Sequence, residues 1–197
     1  MKLTHLFEQS EMSADDLCLW MRDHATGVVH AYHSSFFKYI SPGVFDISAD
    51  VFIELADDEE LPVQFRETRS LFSIKGGKSL KGCPRKVDSA FYVKGNASFE
   101  GAPLECNGVY IADRDSLTNI HKHFNTIHRV ITIGEQIKSN ILGILLIPNF
   151  NGSLKGQGNG NVEKACKILE SCERSKKGVL EAQDKLEDAG LEEFAKL

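Results

Sequence analysis

A chain of 197 residues with 42% hydrophobic and 26% charged residues has the composition of a folded protein rather than a disordered one. The longest strongly apolar run, Ile141 to Pro148, is too short to cross a bilayer, and a net charge of −5 argues against general nucleic-acid binding, which shows a basic footprint. Cys18, Cys83, Cys106, Cys166 and Cys172 have no C-x-x-C spacing, and Met1-Lys2-Leu3-Thr4-His5 opens no signal-peptide core, so a soluble cytoplasmic protein with reduced thiols is expected.

Residues 1 to about 25 read as helical. Ser13 is a good N-cap, Asp15 and Asp16 complement the positive helix end, and Leu17, Trp20, Met21 and His24 follow at helical spacing. Gly27 is the expected stop. Val28 to Ile40 carries β-branched and aromatic residues, then Ser41-Pro42-Gly43 makes a turn. Residues 1–43 are read as an N-terminal helical/β cap.

The next segment repeats. Ser79-Leu80-Lys81-Gly82-Cys83-Pro84 recurs nineteen residues later as Ser98-Phe99-Glu100-Gly101-Ala102-Pro103, and seven residues after each proline stands an aromatic, Phe91 and then Tyr110. A period near twenty is the signature of a solenoid, whose coils bury their apolar sides only against one another. Aligning on the hexads predicts strands at 50–53, 71–74, 90–93, 109–112 and 130–133, with a sixth, continuously apolar, at Ile141 to Ile147. Alternation then points Val51, Phe72, Phe91, Tyr110 and Ile131 inward, with Ile53, Ile74, Val93, Ala112 and Ile133. The other columns point out: Asp50, Leu71, Ala90, Val109 and Val130, and Phe52, Ser73, Tyr92, Ile111 and Thr132. Gly76-Gly77, Gly95-Asn96 and Asp113-Arg114-Asp115 mark one corner of the coil, and Pro62, Pro84 and Pro103 the other. Asn119-Ile120-His121 stands where a third G-x-P would fall.

Residues 44–150 thus read as the solenoid and 151–197 as a glycine-rich loop and C-terminal helical cap, one domain with 1–43. Asn151 to Asn161 is a linker or surface loop; helices are expected over Val162 to Glu173 and Val179 to Ala189, with a last turn in Leu191 to Leu197. Charge is segregated along the repeats. Eight acids and one base lie between Asp46 and Glu67, followed by seven bases from Arg69 to Lys94 against Asp88 alone. Stacked coils make these neighbouring zones, either neutralising one another or steering a charged partner.

The hexads, the opening Leu61-Pro62-Val63-Gln64-Phe65, the segment Ile137 to Ile147 and the tail Ala182 to Ala195 resemble leucine-rich-repeat-like proteins of T4-like tailed phages, whose repeats resemble LTSLEGAPKEVGGDFYC. The likeness spans roughly residues 44 to 197. It implies an α+β fold, a short leucine-rich-repeat-like β-solenoid with N- and C-terminal helical caps, and carries no catalytic residues over.

No catalytic constellation stands out, so no enzyme activity, metal or cofactor is expected. His30 and His33, and His121, His123 and His128, lack carboxylates at ligand spacing. Cys83 is the one cysteine with basic neighbours, Arg85 and Lys86, and reads foremost as a small buried corner residue. Gly156-Gln157-Gly158-Asn159-Gly160 precedes a helix without a P-loop lysine. The outward face is the stronger lead: Phe52, Leu71, Tyr92, Val109 and Ile111, with Lys75 and Lys94, are the expected partner-binding residues, unless the N-terminal helix folds over them. The expected function is non-catalytic protein binding, a phage accessory factor docking on and inhibiting a host protein in the host cytoplasm. The alternatives are a small-ligand or nucleotide-binding protein and a phage structural component, and a homo-oligomer through the strip is a further arrangement.

Overall fold

The computed structural model describes residues 12–26, 32–95, 98–113, 117, 119–158 and 160–196. Helix α1 (Ala14–His24) starts on a capping box: Ser13 Oγ accepts from the Asp16 N–H at 3.1 Å, and the Asp16 carboxylate accepts from the Ser13 N–H at 3.2 Å. Leu17 and Met21 are buried at the expected helical spacing. The helix expected over residues 1–11 and its stop at Gly27 lie outside the described residues, as do Val28, His30, Asn96, Arg114, Asp115 and Asn159.

The strands are β1 (Phe37–Ser41), β2 (Val44–Ile47), β3 (Val51–Leu55), β4 (Gln64–Thr68), β5 (Phe72–Gly76), β6 (Lys86–Lys94), β7 (Glu105–Ile111), β8 (Thr126–Ile133), β9 (Asn149–Phe150) and β10 (Ser153–Gly156). Helices α2 (Gly160–Glu170) and α3 (Lys176–Asp188) follow. Strands β1 and β2 form an antiparallel hairpin, and the remaining strand pairings are parallel. The result is a β-solenoid of about five turns with three α-helices among the described residues, a mixed α+β architecture.

Each turn has two strand positions separated by a bend. The first row runs β2, β4, the N-terminal halves of β6, β7 and β8, then β9; the second runs β3, β5, the C-terminal halves, then β10. The five strands expected from the hexads are those of the second row. Two expectations are corrected. Ile141 to Ile147 is not a sixth strand: Leu142–Leu146 is a buried 3-10 helix, and the Ile141 N–H donates to the Phe194 carbonyl at 3.3 Å. A continuous apolar run has no periodicity to separate helix from strand. The glycine-rich segment is not merely a loop, because β10 pairs in register with β8, setting Leu154 beside Ile131. Its glycines and serine have little β propensity, and the open edge of β8 supplies the hydrogen bonds instead.

The interior is a set of apolar columns. Val51, Phe72, Phe91, Val109, Ile131 and Leu154 stack in one, and Ile53, Ile74, Val93, Ile111 and Ile133 in the next, all buried. In the first row Ile47, Thr68, Val87, Cys106, Ile127 and Phe150 are likewise buried. The Phe72 and Phe91 rings stack with centroids 6.2 Å apart, and each buried phenyl contributes roughly 1.5–3 kcal/mol.

Each hexad closes the turn in the same way. The Cys83 N–H donates to the Leu80 carbonyl at 3.0 Å and the Ala102 N–H to that of Phe99 at 2.9 Å, with Gly82 and Gly101 at φ +89° and +84° in the third position of a type II turn. A Cβ on Gly82 would lie 2.5 Å from both Leu61 Cβ and the Val63 carbonyl oxygen. The third position in this series departs from the pattern, with a 3-10 helix at Ile120–Lys122. Gly82→Ala is expected to cost about 2 kcal/mol or more, because backbone strain and a clash add. Gly190→Ala, with φ +69° but no atom within 4 Å, is expected to cost about 1 kcal/mol. Urea unfolding of the two variants checks this, and equal losses would contradict it.

Candidate functional site

The second row turns one side of its strands into the core and the other to solvent. The hydrogen-bonded register aligns Phe52, Ser73, Tyr92, Tyr110, Thr132 and Lys155 in a single outward column. Phe52 is 43% and Tyr92 38% exposed, and the Tyr92 and Tyr110 rings lie 5.1 Å apart. Beside this ridge run half-buried Leu71, Ala90 and Val130 with buried Gly108. Extended backbone in parallel register holds these side chains at regular strand spacing.

Two of the expected binding residues face the wrong way. Val109 and Ile111 are buried, while Tyr110, assigned to the core from the hexads, lies on the outward column; Ile111 rather than Ala112 fills the inward position. The cause is one residue at the bend. Strand β6 spans it with Asp88 and Ser89 where β7 has only Asn107, so the pairing joins residues nineteen apart before the bend (Val87 and Cys106) and eighteen apart after it (Phe91 and Val109). A one-residue slip exchanges the faces of a strand. The hexads carry no trace of that deletion. A clue did lie in composition, since Val109 and Ile111 are more readily buried than a tyrosine with a hydroxyl to satisfy.

Phe52, Leu71, Tyr92, Lys75 and Lys94 stand on the outer side of the row as expected, with Leu71 half-buried and its N–H donating to the Asp50 carboxylate at 2.9 Å. Lys75 Nζ reaches Glu54 at 2.5 Å, and Lys94 is exposed beside Lys75 in the register. Helix α1 and the chain after it meet the edge of β3. Ala25 bridges Ile53, the Thr26 N–H donates to the Phe52 carbonyl at 3.0 Å, and the Phe52 N–H donates to the Tyr32 hydroxyl at 3.0 Å. These described N-terminal residues leave the Phe52 and Tyr92 side chains exposed.

Charge segregation resolves in part into cross-turn pairs. Arg66 forks onto Asp46 at 2.8 and 2.6 Å, which raises its already high pKa, and Lys81 lies 3.1 Å from Glu100 and 3.9 Å from Glu60. Glu105 joins His128 at 3.1 Å and Lys86 at 3.4 Å, and the His128 hydrogen bond, followed by Lys86, lowers its carboxyl pKa. Exposed pairs of this kind contribute roughly 0–1 kcal/mol each. Neutralisation between turns thus accounts for part of the two charge zones, since Arg69, Lys78, Arg85 and Lys94 form no ion pair among the described residues.

The remaining polar candidates are placed singly; His121 Nδ1 is buried without a hydrogen-bond partner among the described residues. His33 Nδ1 accepts from the Ser35 N–H at 3.3 Å, and the rings of His123 and Phe99 are 6.3 Å apart. Among the described residues no three His, Cys, Asp or Glu side chains converge as metal ligands would. The Gln157 N–H donates to the Ile133 carbonyl at 2.9 Å, and Gly158 lies against the Glu135 carboxylate, a poor setting for a phosphate. A shallow cleft of about 240 Å³, lined by Asp15, Cys18, Leu19, Arg22, His33 and Ser34, is smaller than most ligand sites. Burial pushes the Cys83 and Cys106 thiols far up and that of Cys166 up to about 12. Among the described residues no helix is long and apolar enough to cross a membrane.

Two outcomes are expected. Phe91→Ala should cost about 3–5 kcal/mol and Tyr92→Ala under about 1 kcal/mol in denaturant unfolding, since only the first empties a core position. A large loss from Tyr92→Ala would return that side chain to the interior. Iodoacetamide at about pH 8 should label Cys83, Cys106 and Cys166 only after unfolding, because their thiolates are scarce and inaccessible in the fold. Rapid labelling of the native protein would contradict the burial. In comparisons with known proteins, no family model, no curated protein and no solved structure matches the chain.

Proposed function

We propose that the chain is a non-catalytic protein-binding module, a leucine-rich-repeat-like solenoid that serves as a phage accessory factor and inhibits a host protein by docking on it. The observation that carries this reading is the aromatic ridge on the outer side of the sheet, exposed Phe52 and Tyr92 with half-buried Tyr110. Aromatic side chains supply large contact area at low entropic cost and are enriched at binding hot spots, and solvated faces seldom keep such a ridge without use. The hexads and the closing tail support the phage likeness.

The helices fit the role of caps. Helix α1 sits beside the first strand of the second row, and α2 lies against the last, where the Gly156 position touches the backbone of Val162 and Glu163. A solenoid needs both ends closed to stay in solution unassociated. Function then rests on the side of the row that the caps leave open. The phage origin and the host cytoplasm as working compartment belong to the same reading.

Affinity capture from a host lysate tests it, with Tyr92→Ala and Tyr110→Ala as paired variants. One host protein retained by wild type and reduced about tenfold or more by either substitution is expected, as for a hot-spot tyrosine worth about 1.4 kcal/mol or more. Inhibition is then checked by adding purified protein to an assay of the captured target. Retention that is the same in wild type and both variants would remove the ridge from the account.

A further inference from the structure

The strand segments of the second row carry four charges, and three are positive: Lys75, Lys94 and Lys155 against Glu54. The lysines outnumber the acid on this face in a chain whose net charge is −5. Glu54 is held by Lys75 at 2.5 Å, and the Asp113 carboxylate beyond the row accepts from the Gly95 N–H at 2.6 Å. Lys94 is the register neighbour of Lys75, and Lys155 stands in the outward column of Tyr92 and Tyr110; neither forms an ion pair among the described residues. Like charges on adjacent rungs repel, and a carboxylate from outside would relieve that repulsion.

We propose that the occupant of the Phe52–Tyr92–Tyr110 ridge is an extended acidic polypeptide segment, with an apolar anchor on the two tyrosines and carboxylates at Lys94 and Lys155. This rests on the docking reading above and names the chemistry of its partner. Lys94 lies two residues beyond Tyr92 on the same side of the strand, a rise of about 7 Å, and Lys155 lies two rungs beyond Tyr110, about 10 Å away. The first offset runs along the strand and the second across the strands, so the two lysines stand about 16 Å apart, spanned by about five residues of a chain that rises about 3.3 Å per residue. The ridge supplies burial and the lysines supply register and specificity.

The test uses the full chain and four defined probes: a random glutamate–tyrosine copolymer, polyglutamate, a lysine–tyrosine copolymer and oligothymidylate. The expected result is binding of the glutamate–tyrosine copolymer, about tenfold weaker binding of polyglutamate, and none of the lysine copolymer. Added salt should weaken the first. Lys94→Glu combined with Lys155→Glu should reduce copolymer affinity about tenfold or more without lowering the melting temperature, since both side chains are exposed. Failure of wild type to bind the copolymer, or unchanged affinity in the charge variant, would overturn the proposal. Tighter binding of oligothymidylate would overturn it too, making the ridge a stacking platform for single-stranded nucleic acid. If the charge variant behaves as wild type while Tyr92→Ala still loses the host protein, the acidic partner falls and the docking reading stands. If Tyr92→Ala has no effect on either probe or host protein, both fall.

Discussion

Parallel register between consecutive turns is the constraint on which the rest of this molecule depends. Each inward side chain in the second row covers the one before it: Val51, Phe72, Phe91, Val109, Ile131, Leu154. No turn has a core of its own, so the burial of any phenyl or isoleucyl group requires its neighbour in the correct phase. Because strand side chains alternate with period two, a shift of one residue would exchange Phe91 with Tyr92 and bring a hydroxyl into the column. The positive-φ glycines at 82 and 101 serve this constraint, since they let the return segment pass within contact of the preceding turn. Variation in coil length is absorbed at the bend, where β7 omits a residue and the inward columns stay continuous.

The charge pattern obeys the same register. Asp46 and Arg66, Glu54 and Lys75, and Glu60 with Lys81 and Glu100 pair across turns because they are about one period apart. These contacts stabilise little individually, yet they remove like-charge repulsion that a stack of identical turns would otherwise accumulate. The ladder of pairs is incomplete: Arg69, Lys78, Arg85, Lys94 and Lys155 form no ion pair among the described residues, and Lys94 and Lys155 lie on the side where the aromatic ridge emerges. Apolar exposure and unpaired positive charge therefore occur together on the outward side of the second row. That coincidence is the ground on which the docking proposal rests, while the five thiols are buried.

Much was legible in the sequence because the repeat states it directly. The two hexads set a period near twenty, the glycine and proline corners and the inward phases of β3, β5 and β6, and Ser13 with Asp16 announced the start of α1. Those features are local: a turn needs glycine at positive φ, a cap needs a side-chain acceptor, and alternation needs only neighbouring residues.

What only tertiary structure decided depends on contacts between segments distant in sequence. Val109 and Ile111 are buried and Tyr110 lies half-buried on the outward column because β7 drops a residue at the bend and its pairing with β6 preserves the column. Strand β10 exists because β8 offers an open edge to a segment with little β propensity, and Leu142–Leu146 coils as a 3-10 helix although its composition suits a strand equally. The first row was hidden for a similar reason, since Gln64-Phe65-Arg66-Glu67-Thr68 shows few apolar residues and is fixed by register with β2 and β6. Sequence by itself determined the repeat, its corners and the kind of core. The faces of particular strands were decided by long-range hydrogen-bond register, which no local pattern encodes.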